Sequence, residues 1–324
     1  MRNRDLWNRA GRAVGLTLTI ALFTGLASAR TATWVKLNPA HHPSARVNAA
    51  IAYDPAAQNI ALFGGYDGTS YLNDTWIFNG TDWVQVSTST APSVRTASAM
   101  SYDRTLKKMV MFGGYNGNNY LGDTWVWDGV AQTWTQQSPS TMPTAVTLPM
   151  LFTDPLNGRA EMVGGFDGQF YQNTTWQWKN GNWVNLNPAT ILWARGAAVV
   201  ANDYHRKQVV IFGGLADLNP VNTWIWDGTN WTMESPATQP DWTYYSGAAY
   251  DPHIQSVINF SGGSGTNETW AWNGSDWVSV NAQSPPPATD SMGIAYDFAT
   301  DQWIMFGGET TGTFVSDTYQ LQIQ

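Results

Sequence analysis

The chain has no cysteine among its 324 residues. Thiolate nucleophiles, Cys-ligated zinc, iron–sulfur clusters and disulfide staples are therefore excluded. Charge is scarce too: Asp, Glu, Lys and Arg make up 12% of the chain, against roughly 25% in an ordinary domain. The only glutamates, Glu161, Glu234, Glu268 and Glu309, fall in different stretches of the chain, so the clustered acid, base and arginine of an enzyme pocket is hard to assemble from them. Beyond residue 26 no apolar run is long enough to cross a bilayer. No run of Lys or Arg stands out, which argues against nucleic acid and anionic membranes as partners.

The N-terminus reads as an export signal. Arg2, Arg4, Arg9 and Arg12 form a basic segment, Ala13–Leu26 an uncharged apolar run, and Ala27-Ser28-Ala29 a cleavage site. Cleavage after Ala29 would place the protein outside the cytoplasm, extracellular or periplasmic, with no membrane insertion. Residues 30–324 would then carry (16 − 4) − (24 − 1) = −11.

What the chain has in abundance is glycine and tryptophan at a fixed period. Gly-Gly pairs begin at Gly64, Gly113, Gly164, Gly213, Gly262 and Gly307. An Asp precedes each (Asp54, Asp103, Asp154, Asp203, Asp251, Asp297), and Thr-Trp or Thr-Tyr follows (Trp76, Trp125, Trp176, Trp224, Trp270, Tyr319). A second Trp comes later, at Trp83, Trp134, Trp183, Trp231 and Trp277. Self-similarity at this period means radially repeated units of four short strands. In the first unit the strands are expected near Val47–Tyr53, Ile60–Phe63, Thr75–Phe78 and Trp83–Val86. The fold class is all-β, one domain over 30–324, with repeats starting near 46, 95, 146, 195, 243 and 289.

Gly-Gly-Tyr-Asp-Gly, then Asn-Asp-Thr-Trp, then Trp seven residues on, resembles the kelch repeat, in particular bacterial exported kelch proteins grouped with the galactose oxidase central domain. The resemblance covers residues 33–324 and implies a six-bladed β-propeller. The sixth unit stops after its third strand, and Thr33–Pro39 copies the fourth-strand text of Asn182–Pro188. The N-terminal strand is therefore expected to complete the last blade. The copper-radical activity of galactose oxidase does not carry over, because its Cys–Tyr cofactor needs a cysteine. Periplasmic sialic-acid mutarotases are also six-bladed kelch proteins, but no motif here transfers their active site.

Function is expected on the face bearing the longer 2–3 and 4–1 loops. Arg46, Arg95 and Arg195 recur at the start of strand one. They would either ring the channel mouth for an anionic or polyhydroxyl ligand or bond to neighbouring loops. Trp193 and Trp242 fall outside the packing slots and could stack on sugar rings. Tyr71, Tyr120 and Tyr171 share one place in the 2–3 loops, where loop packing is the alternative. Glu161 replaces an aliphatic residue and is expected to pair with Arg159. His205 and His253 are too sparse for a metal site, and no cofactor is implied. The expectation is a non-catalytic module binding a glycan or a protein. A carbohydrate-active enzyme such as a mutarotase or epimerase, and a purely structural envelope protein, are the alternatives.

Overall fold

The computed structural model describes residues 31–216, 221–260, 262–263 and 265–323. The export signal, Trp7 included, lies outside them. The described residues contain strands and turns but no helix; apart from a small ribbon of Glu309–Thr310 with Thr313–Phe314, the strands group into six blades, each with four antiparallel strands.

Blade one consists of Ala50–Asp54, Asn59–Phe63, Thr75–Phe78 and Trp83–Val86. Its first strand starts three residues later than the hydrophobic pattern suggests. The cause is Asn48, at φ 52°, a left-handed residue that interrupts the extended run. The Asp that ends each first strand folds the turn. In blade one, Asp54 Oδ1 accepts the amides of Ala56 and Ala57 at 2.9 and 3.2 Å. The Gly-Gly pair follows from close approach: a Cβ on Gly64 would lie 2.6 Å from the carbonyl oxygen of Arg95 in the next blade.

Blade six is closed as expected. Ala32–Leu37 runs antiparallel to Thr318–Ile323 through six residue pairs, from Ala32↔Ile323 to Leu37↔Thr318. Ala282–Gln283 adds an unforeseen short parallel strand outside it.

Two bonded circuits join the blades. In the first, the strand-four Trp of every blade donates its indole N–H to the strand-three Thr of the preceding blade. The six bonds are Trp83–Thr318, Trp134–Thr75, Trp183–Thr124, Trp231–Thr175, Trp277–Thr223 and Trp34–Thr269, at 2.8–3.2 Å. This explains why Thr precedes Trp in each repeat, and it identifies Trp34 as the sixth strand-four Trp. These indoles are almost wholly buried, and each is worth roughly 5 kcal/mol of burial as an upper bound.

The second circuit is made of backbone. Asn48, Ala97, Leu148, Ala197, Tyr245 and Ser291 all have φ between 51° and 58°. Each donates its amide to the carbonyl of its counterpart one blade back, with Asn48 bonding to Ser291 to close the loop, at 2.7–3.4 Å.

Glu161 does not pair with Arg159, whose guanidinium reaches outward to Thr105 Oγ1 at 3.3 Å. The Glu161 carboxyl is fully buried and accepts the Gln177 amide at 2.7 Å. Burial, with the Asp154 carboxyl beside it, pushes its pKa up to about 9. The folded state therefore holds this proton where the unfolded chain has released it. The associated stability is complete below pH 4.5 and lost as pH rises through 9. The loss between pH 4.5 and 7 is expected to be on the order of 3 kcal/mol. Glu161→Gln should remain neutral and flatten this part of the profile. Urea melts of both proteins from pH 5 to 9 check it; parallel profiles would refute it.

Candidate functional site at the channel mouth

First strands line the channel, and a waist divides it. Ile51, Met100, Leu151, Val200 and Ile294 face both a cavity of about 670 Å³ and a smaller one of about 220 Å³. The larger cavity opens on the face of the 1–2 turns, opposite the face favoured from loop length. The smaller lies at the 2–3 and 4–1 loop end, lined by the residues of the backbone circuit.

Two positions in each repeat, flanking the buried Asp, build the larger mouth. Before the Asp stand Tyr53, Tyr102, Thr153, Asn202, Tyr250 and Tyr296. After it stand Pro55, Arg104, Pro155, Tyr204, Pro252 and Phe298. Prolines occupy alternate blades, leaving Arg104, Tyr204 and Phe298 as the long side chains. These three converge across the opening. The Arg104 guanidinium lies 5.3 Å from the Tyr204 ring centre. Tyr204 meets Phe298 at 5.8 Å, edge to face, and Phe298 reaches Tyr296 at 4.8 Å and Tyr53 at 5.4 Å. Tyr204 and Phe298 remain 40% and 44% exposed, enough to offer ring faces to a ligand.

Polar groups are few below this cover. Thr153 and Asn202 exchange hydrogen bonds, with the Asn202 amide donating to the Thr153 carbonyl at 2.6 Å. The Tyr296 hydroxyl donates to Asp301, which also bonds His253 Nε2 at 2.7 Å. Burial and the Asp301 carboxylate hold the Tyr296 phenol well above its ordinary range. Its proton is thus committed to Asp301, and the phenol oxygen is left as an acceptor. Burial likewise pushes Tyr53 up to about 12.

The residues singled out from sequence fall elsewhere. Arg46, Arg95 and Arg195 do not ring a mouth; they are buried within the loops. All five donors of Arg46 are taken: Ser44 O, Ser44 Oγ, Gly64 O and both oxygens of Asp74. Arg95 repeats this with Ser93, Gly113 and Asp123. Arg195 bonds Trp193 O, Gly213 O and, in place of a carboxylate, Asn222 at 2.8 Å. Tyr71 and Tyr120 belong to an aromatic belt on the loop face that runs Phe314–Tyr66–Tyr71–Tyr115–Tyr120–Phe166–Tyr171, with successive rings 4.9–6.0 Å apart. They also explain the last glycine of Gly-Gly-x-x-Gly: a Cβ on Gly117 would lie 2.5 Å from the Tyr71 ring, and one on Gly168 2.4 Å from Tyr120. Tyr171 ends the belt on Phe166. Trp242 is half-buried, donating to Gly214 O at 2.9 Å and stacked on Tyr244.

Trp193 alone of this set is freely exposed, at 56%, touching Trp224 edge to face. Trp193→Ala should leave the melting temperature within about 2 °C of the parent. Trp125→Ala removes a buried ring and its bond to Asp123, and should cost about 3–5 kcal/mol. Thermal melts of the pair distinguish a surface ring from a packing one.

Among the described residues no group of three His, Cys, Asp or Glu side chains is placed to hold a metal ion.

Six four-stranded blades, a bonded Trp–Thr circuit and a central channel define the kelch class of β-propeller. Residues 25–214 match the KLHDC2/KLHL20/DRC7 kelch-repeats domain, and the chain belongs to that family. The solved structure of YjhT is similar, covering 88% of this chain and 99% of its own, with a TM-score of 0.69 at 15% identity. That likeness is one of fold. No curated protein matches the sequence.

Proposed function

We propose that this protein is an exported, non-catalytic binding module for a glycan or a protein, and that its ligand enters the mouth on the 1–2 turn face. One observation carries the reading: a cavity of about 670 Å³ covered by Arg104, Tyr204 and Phe298 from alternate blades. Its size suits a small ligand or one unit of a larger one. Two exposed rings offer apolar faces, and a guanidinium and an acceptor phenol supply orientation. The export signal read from the N-terminus supports a ligand outside the cytoplasm.

A second reading, a sugar mutarotase or epimerase, is favoured by the Tyr296–Asp301–His253 chain. It links a cavity-lining phenol through one carboxylate to a surface imidazole, the kinds of group that general acid–base catalysis uses.

A glycan array on residues 30–324, with turnover assays on every hit, tests both readings. Phe298→Ala and Tyr204→Ala are expected to weaken a hit by at least ~30-fold, about 2 kcal/mol, with melting unchanged. A hit lost in Trp193→Ala and retained in Phe298→Ala would move the site to the loop face. Turnover abolished by Tyr296→Phe would favour the enzyme.

A further inference from the structure

The cations of this acidic chain are distributed very unevenly. From Gln208 to Gln324 there is no Lys or Arg, against twelve Asp and Glu. Among the described basic residues, Arg46, Arg95 and Arg195 are buried in loops, and Lys36 pairs with Asp317 at 2.7 Å. All the rest project from the turn face of blades two, three and four. Lys108 is paired with Asp128 at 3.0 Å, and Arg206 with Asp203 at 2.8 Å. Five remain with no ion pair among the described residues: Arg104, Lys107, Arg159, Lys179 and Lys207.

The fold gathers into one area what the linear sequence scatters. Each 1–2 turn packs on the next blade. Arg104 donates its amide to Gly158 O at 2.7 Å, and Arg159 reaches back to Thr105. A Cβ on Gly228 of blade four would lie 2.6 Å from Leu156 of blade three. Aliphatic side chains share this sector: Val130 is 70% exposed and Leu156 61%, with Leu106 also exposed. Cations held side by side repel one another, and the repeat carboxylates of these turns, Asp103, Asp154 and Asp203, are buried beneath the surface on which the cations stand, so a fold keeps them together at a cost. Exposed aliphatic groups beside them add a second cost. An anionic partner that also carries apolar groups relieves both.

We propose that the turn face of blades two to four is a docking surface for an acidic peptide segment punctuated by apolar side chains. A polyuronic glycan would match the cations but offers no aliphatic groups to cover Val130 and Leu156. Apart from Arg104, these residues lie outside the channel cavity. The proposal therefore goes beyond the cavity reading and can fail independently of it.

The test uses fluorescence anisotropy on residues 30–324 with three probes: a peptide of repeated Glu-Leu-Asp-Phe units, poly-L-glutamate and polygalacturonate. The mixed peptide should bind tightest, with affinity falling as salt rises. The triple variant Lys107→Glu, Lys179→Glu, Lys207→Glu should lose at least ~30-fold. Val130→Ser with Leu156→Ser should lose ~5-fold for the mixed peptide and nothing for poly-L-glutamate. Phe298→Ala, in the cavity cover, should change none of these. All substituted side chains are exposed, and unchanged melting verifies folding. Equal binding of polygalacturonate or poly-L-glutamate would make this a general polyanion surface and overturn the proposal. So would unaltered binding by the triple variant, or no binding of the mixed peptide.

Discussion

Deleting residues 30–40 is expected to abolish cooperative folding of the whole disc, not only of its last blade. The deletion removes the strand that pairs with Thr318–Ile323 through six residue pairs, and with it the indole of Trp34. That indole packs on Phe260 at 4.8 Å and Trp303 at 5.2 Å, and donates to Thr269 in blade five. Its absence opens the Trp–Thr circuit and bares a strand edge whose amides and carbonyls invite other chains. The loss of one large buried indole alone is worth about 3–5 kcal/mol, comparable to the whole stability of many domains. Circular dichroism melts and light scattering should show a broad low-temperature transition and aggregation. A synthetic peptide of residues 31–40 added in trans should restore part of the transition. An unchanged melting temperature in the deletion variant would refute strand closure as a determinant of stability.

The second large effect is expected at the arginine clamps. Arg95 is completely buried, and its charge is balanced by the two oxygens of Asp123 at 2.7 and 2.8 Å. Asp123→Leu leaves that guanidinium in the interior without a counter-charge and should destabilise by about 3–5 kcal/mol. It also strips the acceptor from the Trp125 indole. Asp123→Asn should be much milder, because blade four is naturally built that way with Arg195 and Asn222. The converse change, Asn222→Asp, should stabilise by about 1 kcal/mol by giving Arg195 the carboxylate it lacks. Urea titrations of the three variants check the ordering. Equal losses for Leu and Asn at position 123 would show that the clamp's charge is immaterial.

The architecture was legible because each repeated residue answers a backbone demand. Gly64 leaves room for the Arg95 carbonyl, Asp54 folds a turn, and Thr75 receives an indole from the next blade. These demands recur in every blade, so they print at a fixed period. The mouth was less legible because its residues differ from blade to blade. Tyr53, Tyr102, Tyr250 and Tyr296 do precede the repeat Asp, and this alignment was a usable signal. Loop length pointed to the other face because it measures tolerance of insertion and not the bore of the channel. The arginines left two readings open for a related reason, and bonding to the loops is the one the structure holds. Their partners stand 27 or 28 residues downstream, in another strand. Asp74, Asp123 and Asn222 do fill one slot in the three blades that carry Arg46, Arg95 and Arg195, but Glu268 and Asp317 fill it in two blades that have Thr243 and Thr289 instead, so the pairing does not stand out in the sequence.

The backbone circuit around the channel has a dynamic consequence. Each of its six amides is both fastened to one neighbour and next to the carbonyl that fastens the other. Releasing a blade therefore breaks two of these bonds at once and leaves two partners stranded on adjacent blades. Local breathing of a single blade is penalised on both sides, and the amides of Asn48, Ala97, Leu148, Ala197, Tyr245 and Ser291 should exchange with solvent as one slow class. Their protons would report the opening of the disc as a whole, whereas the amides of the exposed turns, which hold no part of this circuit, should exchange faster.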